Sequence, residues 1–193
     1  MTRFVASDDP TALDAAEAAL RAGEAIVLPT DTVYGLAALP TSIDALYALK
    51  GRPQSLPIAV LVESLGQAAS VVFVPDVGER LARAFWPGPL TLVLPRIDGE
   101  GTLGVRCPAD GFIHRLAERV GPMAVTSANR HGEATPITAD AAAASLTGDV
   151  ALAVDGGPCH GEPYTVVDAT GPGLNIIRAG PITEEQIQAA ALR

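Results

Sequence analysis

Three short stretches of the chain concentrate the residue types that handle anionic substrates. Thr30-Asp31-Thr32 follows the apolar run Ile26–Pro29, Thr126-Ser127-Ala128-Asn129 follows Met123–Val125, and Lys50-Gly51-Arg52-Pro53 ends a helical pattern. Hydroxyls and amides can read ligand hydroxyls and carbonyls, and a guanidinium can grip a carboxylate or phosphate bidentately. Each stretch also has a plainer reading. Ser, Thr, Asp and Asn close turns and cap helices, whereas ligands of open α/β sheets bind beyond the carboxyl ends of strands. Lys50 is the only lysine, beside twelve arginines. It reads either as a solvated cation at a helix C-terminus or as a compact ammonium kept for phosphates or covalent chemistry.

The elements that must position these stretches follow from hydrophobic period and punctuation. Asp9-Pro10 reads as N-cap and N1 of a first helix that Gly23 closes, with Leu13, Ala16, Ala19 and Leu20 as its apolar stripe. Strands are expected at 25–29, 58–62, 90–94, 102–106, 123–126, 150–154, 164–168 and 174–178, the third and fourth joined by Asp98-Gly99-Glu100-Gly101. Helices are expected at 42–50, 76–85, 110–120, 138–146 and 183–192. Strands alternate with helices early and follow one another late, which predicts an α/β chain with one mixed sheet and helices packed on it. With no repeat, low-complexity tract or linker in sight, residues 1–193 read as a single domain.

Composition removes several functions. At 48% apolar and 18% charged the chain can bury a sizeable core. A net charge of −9 is a poor scaffold for broad nucleic-acid contact, so at most weak RNA binding is expected. No apolar run is long enough to span a bilayer and no signal-peptide pattern opens the chain, so no membrane partner and a cytoplasmic location are expected. Cys107 and Cys159 form no CxxC and read as free thiols. His114, His131 and His160 have no metal-ligand spacing and read as surface residues; no resident metal is expected. There is no Walker A spacing around Lys50, no GxGxxG after the first strand and no GxSxG around Ser127.

The blocks taken in order resemble a known family. Pro29-Thr30-Asp31-Thr32-Val33-Tyr34-Gly35-Leu36, Lys50-Gly51-Arg52-Pro53, Phe85-Trp86-Pro87-Gly88-Pro89-Leu90-Thr91, Val105-Arg106-Cys107-Pro108, Thr126-Ser127-Ala128-Asn129, Thr165-Val166-Val167-Asp168 and Ile177-Arg178-Ala179-Gly180 are similar to the motifs of YrdC/YwlC-type threonylcarbamoyl-AMP synthases. The resemblance implies a YrdC-like fold, an open twisted sheet with a concave cavity, in its short single-domain form. It implies a nucleotidyltransferase that joins ATP, bicarbonate and L-threonine into threonylcarbamoyl-AMP for tRNA modification. A tRNA threonylcarbamoyl transferase would be the downstream partner, and Mg2+ would accompany the ATP.

By the same likeness Lys50, Arg52, Thr102, Ser127, Asn129, Thr135 and Arg178 would hold ATP, and Thr32 and Arg106 the threonine. Lys50 and Arg52 would stabilise charge during catalysis, and Lys50 variants would melt like the parent. Leu56, Leu61 and Tyr164 depart from residues found in relatives, Tyr164 standing where the family usually has a Ser beside the amino acid. Rival readings are a carbamoyl-phosphate-dependent adenylating paralogue, a non-catalytic RNA-binding protein and Schiff-base chemistry at Lys50.

Overall fold

A computed structural model describes residues 1–159, 161, 163–171 and 173–192; His160 lies outside the described residues. The strands are β1 (Arg3–Ala6), β2 (Ile26–Leu28), β3 (Gly35–Ala38), β4 (Ala59–Leu61), β5 (Leu90–Pro95), β6 (Thr102–Arg106), β7 (Met123–Ser127), β8 (Leu152–Asp155), β9 (Thr165–Asp168) and β10 (Asn175–Arg178). They form one ten-stranded mixed sheet in the order β1-β8-β2-β3-β7-β4-β6-β5-β9-β10. The helices are α1 (Ala12–Arg21), α2 (Asp44–Lys50), α3 (Leu65–Ala68), α4 (Asp76–Phe85), α5 (Gly111–Val120), α6 (Ala139–Ala144) and α7 (Glu184–Ala191).

Alternation along the strands decides which face each helix covers. Val27, Leu36, Ala38 and Ala124 point toward α2 and α6, and Leu90, Leu92, Leu94 and Val105 pack with residues of α4 and α7. Both of these clusters lie on one face. On the other face Ile26, Leu28, Leu61 and Met123 pack with Leu20 of α1 and Leu116 of α5. That second layer stops at the middle of the sheet. Beyond it Thr91 and Val93 of β5, and Thr102 and Gly104 of β6, line an open hollow instead of a core. The concavity expected from the family likeness is thus a half-face that no helix covers.

The first helix begins later than its sequence suggests. Thr11 is the N-cap of α1, and Asp9 accepts bonds from the Thr11 amide and hydroxyl, each at 2.7 Å. Asp9-Pro10 therefore closes the turn before the helix. β1, β3 and α3 are additional to the expected elements.

Tyr34 ties the front of the sheet together. Fully buried, it donates to Gly157 O at 2.7 Å and accepts from the Gly156 amide at 3.2 Å. It thereby joins the β2–β3 connection to the exit of β8. Burial pushes its phenol up to about 12. Tyr34→Phe removes both bonds, to groups that are exposed or half-buried, and is expected to cost about 0.5–1.5 kcal/mol. Urea unfolding of the variant against the parent measures this.

Candidate functional site

α2 ends at Gly51, whose φ of 59° places it in the left-handed region. This C-cap, favoured by glycine, lets its two neighbours take opposite courses. Lys50 turns inward and is 1% exposed. Its Nζ donates to Ser127 O at 2.5 Å, Asn129 O at 2.6 Å and Asn129 Oδ1 at 3.1 Å. Burial, and then the charge of Arg52, lower its pKa to about 8. Arg52 turns outward, donating from its guanidinium to Pro57 O at 3.0 Å, and lines the hollow.

Lys50 therefore stands behind the site. Its ammonium clamps the loop that follows β7. Asn129 completes the clamp: its Oδ1 accepts from Ser127 Oγ at 2.5 Å, and its Nδ2 donates to Glu133 O at 2.7 Å and Arg130 O at 2.9 Å. Ser127 itself reaches the hollow, with Thr102, Thr135 and Arg178, whereas Asn129 is buried. Of the residues expected at ATP, five line one chamber of about 410 Å3 (Arg52, Thr102, Ser127, Thr135 and Arg178), and Lys50 and Asn129 support it from beneath.

The residues expected at threonine sit next door. Thr32 and Arg106 line a recess of about 20 Å3 that shares Val33, Val125, Thr126, Ser127 and Tyr164 with the chamber. Arg106 is 2% exposed. It donates to Thr32 Oγ1 and Gly88 O, both at 3.1 Å, and forms an ion pair with Asp31. Burial acts to lower its pKa and Asp31 opposes this. Asp31 also accepts from the Ala109 amide at 3.0 Å. Sequence reasoning treated Asp31 only as part of a turn. The two partners are far apart in the chain, so no local spacing could have paired them.

Tyr164 is the second addition. Its ring lies 4.6 Å from the Arg106 guanidinium carbon and 4.2 Å from that of Arg178, and its carbonyl accepts two bonds from Arg178 at 2.9 and 3.0 Å. Leu61 walls the recess, and Leu56 offers its backbone oxygen to Arg52 and to Tyr47.

Other candidates remain structural. Cys107 and Cys159 are free, and burial raises the Cys107 thiol to about 11. His131 is exposed as expected, but His114 is half-buried and bonded through Nε2 to Pro108 O at 2.7 Å. No described helix is long and apolar enough to cross a membrane.

Known proteins are similar to this chain in sequence and fold. A family model described as "Telomere recombination", covering Sua5, YciO and YrdC proteins, matches residues 18–180. A Mycobacterium tuberculosis (strain H37Rv) protein provisionally named a threonylcarbamoyl-AMP synthase is 38% identical over 182 residues, 88% of this chain and 84% of its own. The Bacillus subtilis threonylcarbamoyl-AMP synthase is 36% identical over 204 residues, 98% of this chain and 59% of its own. Among solved structures, Pyrococcus abyssi Sua5 complexed with L-threonine superposes with a TM-score of 0.90 at 31% identity, covering 98% of this chain and 60% of that one. Escherichia coli YciO shares the fold with a TM-score of 0.82 at 24% identity. With the family model matching residues 18–180 and a relative 38% identical over most of both chains, the chain belongs to the Sua5/YciO/YrdC family.

Proposed function

We propose that the protein is an L-threonylcarbamoyladenylate synthase, forming threonylcarbamoyl-AMP and pyrophosphate from ATP, bicarbonate and L-threonine. The observation that carries this reading is the junction of two unlike hollows through one wall of Ser127 and Tyr164. The recess at Arg106 and Thr32 would have to widen to admit an amino acid, but it offers a guanidinium for the carboxylate and a hydroxyl for the side chain. The chamber, with Arg52, Arg178 and the hydroxyls of Thr102, Ser127 and Thr135, suits a nucleotide. The relatives named above as synthases and the threonine-bound Sua5 support the same substrates.

The chemistry asks for no acidic nucleophile from the protein. Threonine nitrogen and bicarbonate first give an N-carboxylate with loss of water. A carboxylate oxygen then attacks the α-phosphorus of ATP, the bond to the β-phosphate bridging oxygen breaks, and pyrophosphate leaves. Such a step needs in-line positioning and cationic stabilisation more than covalent help. Arg52 and Arg178 would supply charge at the chamber wall. Ser127 and Thr135 would orient the nucleotide, and Thr102, at the exposed end of β6, would meet it at the rim. Lys50 would act through the clamp on Ser127 and Asn129. Mg2+ would enter with the ATP, since the described residues contain no group of three His, Cys, Asp or Glu poised for a metal. The adenylate would pass to a tRNA threonylcarbamoyl transferase, with little direct affinity of this acidic chain for RNA.

Product identification tests the reading. Incubation with ATP, threonine and 13C-bicarbonate is expected to give an adenylate carrying one 13C by rapid mass spectrometry. AMP alone, or an unlabelled adenylate, would refute it.

A further inference from the structure

The sheet register places four residues in one row across the uncovered half-face. Arg106 of β6 pairs with Thr91 of β5, Thr91 with Val166 of β9, and Val166 with Arg178 of β10, where a bulge shifts the register. Tyr164 stands two residues before Val166, on the same face. Its ring lies between the guanidinium groups at the two ends of this row. Tyr164 and Thr91, which lies in the middle of the row, both line the chamber.

Thr91 is anomalous there. It is 2% exposed, and its Oγ1 has no hydrogen-bond partner among the described residues. A buried hydroxyl in this state is destabilising relative to an apolar isostere. Gly104 beside it admits no side chain without crowding, since a Cβ would come 3.3 Å from the Thr91 methyl. The fold thus keeps an unpartnered hydroxyl in the register row that carries Arg106 and Arg178, at a position the chamber reaches.

We propose that Thr91, flanked by Arg106 and Arg178, is the floor of an anion subsite, and that Tyr164 is its displaceable cover. The subsite would receive the reacting N-carboxylate at its Arg106 end and the α-phosphate it attacks toward Arg178. The Tyr164 ring walls the amino-acid recess of about 20 Å3, and its displacement would enlarge it. Substrate must displace the ring from both guanidiniums, and its apparent affinity falls by the fraction of time the cover is open. The inference rests on the proposed synthase activity for the identity of the anions.

Two pairs of variants test it. Thr91→Val preserves shape and removes the orphan hydroxyl. Its melting temperature is expected to equal or exceed the parent's, while turnover falls about tenfold or more; Thr91→Ser is expected to restore turnover. Parental turnover in Thr91→Val would overturn the assignment. Tyr164→Ser removes the cover and is expected to lower the KM for threonine roughly tenfold, about 1.4 kcal/mol, whereas Tyr164→Phe keeps the ring and stays near the parent. A KM for threonine unchanged or raised in Tyr164→Ser would overturn the cover. The rise in melting temperature produced by saturating ATP reads the same subsite without turnover and is expected to shrink in Thr91→Val. A parent that releases no pyrophosphate would sink the synthase reading, and the ATP-induced rise would then decide the subsite alone.

Discussion

Arg106→Ala is expected to destabilise the protein by about 3–5 kcal/mol, because it removes one partner of a buried ion pair and leaves the other in place. Asp31 would lose its cation while staying 14% exposed, and Gly88 O would lose its donor. Chemical denaturation against the parent measures this. A second loss concerns the ligand. Without its charge-assisted partner, threonine is expected to bind roughly ten- to hundredfold more weakly, from a bond worth about 1.5–3 kcal/mol. ATP affinity should change far less, because Arg106 lines the recess and is absent from the wall of the larger chamber. Arg106→Lys separates the two effects. It keeps a charge near Asp31 and so recovers stability, but it lacks the planar fork that matches a carboxylate. Calorimetry with threonine on a folded Arg106→Lys protein is expected to show most of the affinity loss. Unchanged threonine binding there would remove Arg106 from the site.

The second large effect is at Lys50. Its ammonium gathers two backbone oxygens and the Asn129 side chain at one point. Lys50→Ala leaves Asn129 O without a donor, at about 1–3 kcal/mol for a buried acceptor left unmade, while Ser127 O keeps the Asn129 amide and Asn129 Oδ1 keeps the Ser127 hydroxyl. The sequence-based expectation that Lys50 variants melt like the parent is therefore revised: Lys50→Ala should melt at clearly lower temperature. Lys50→Arg keeps the charge but spreads its donors over a planar group too broad for three acceptors that converge on one nitrogen. It should partly unseat Ser127, and a displacement of this kind costs rate steeply. We expect Lys50→Arg to lose at least tenfold in adenylate formation, with the fold retained by circular dichroism. Full activity in that variant would leave Arg52 and Arg178 as the only cations that matter in the chamber.

The contrast between Lys50 and Arg52 illustrates what sequence can convey. The family likeness of Lys50-Gly51-Arg52 marked both as site residues; Arg52 lines the chamber, and Lys50 is buried behind it. Which one faces the ligand depends on the left-handed turn at Gly51 and on where β7 ends, neither of which is a local pattern. The same division runs through the fold. α4 and β6 were legible to the residue, because Pro75 and Trp86-Pro87 bracket the one and a Gly-rich turn opens the other. β3, with the sequence Gly-Leu-Ala-Ala, has little strand propensity of its own and is held by pairing with β2 and β7 on either side. β1 buries only Val5 and exists through its pairing with β8. The Arg106–Asp31 pair and the Tyr164 ring between two arginines come from strand order, which places β6, β5, β9 and β10 side by side. Spacing along the chain carries no trace of that order.

Pyrophosphate release by the purified protein, with each substrate omitted in turn, tests the central claim most directly. Release is expected with ATP, L-threonine and bicarbonate together, and to fall to background when threonine or bicarbonate is withheld. Equal release from ATP and carbamoyl phosphate without threonine would contradict the account and assign the two hollows to a different adenylation.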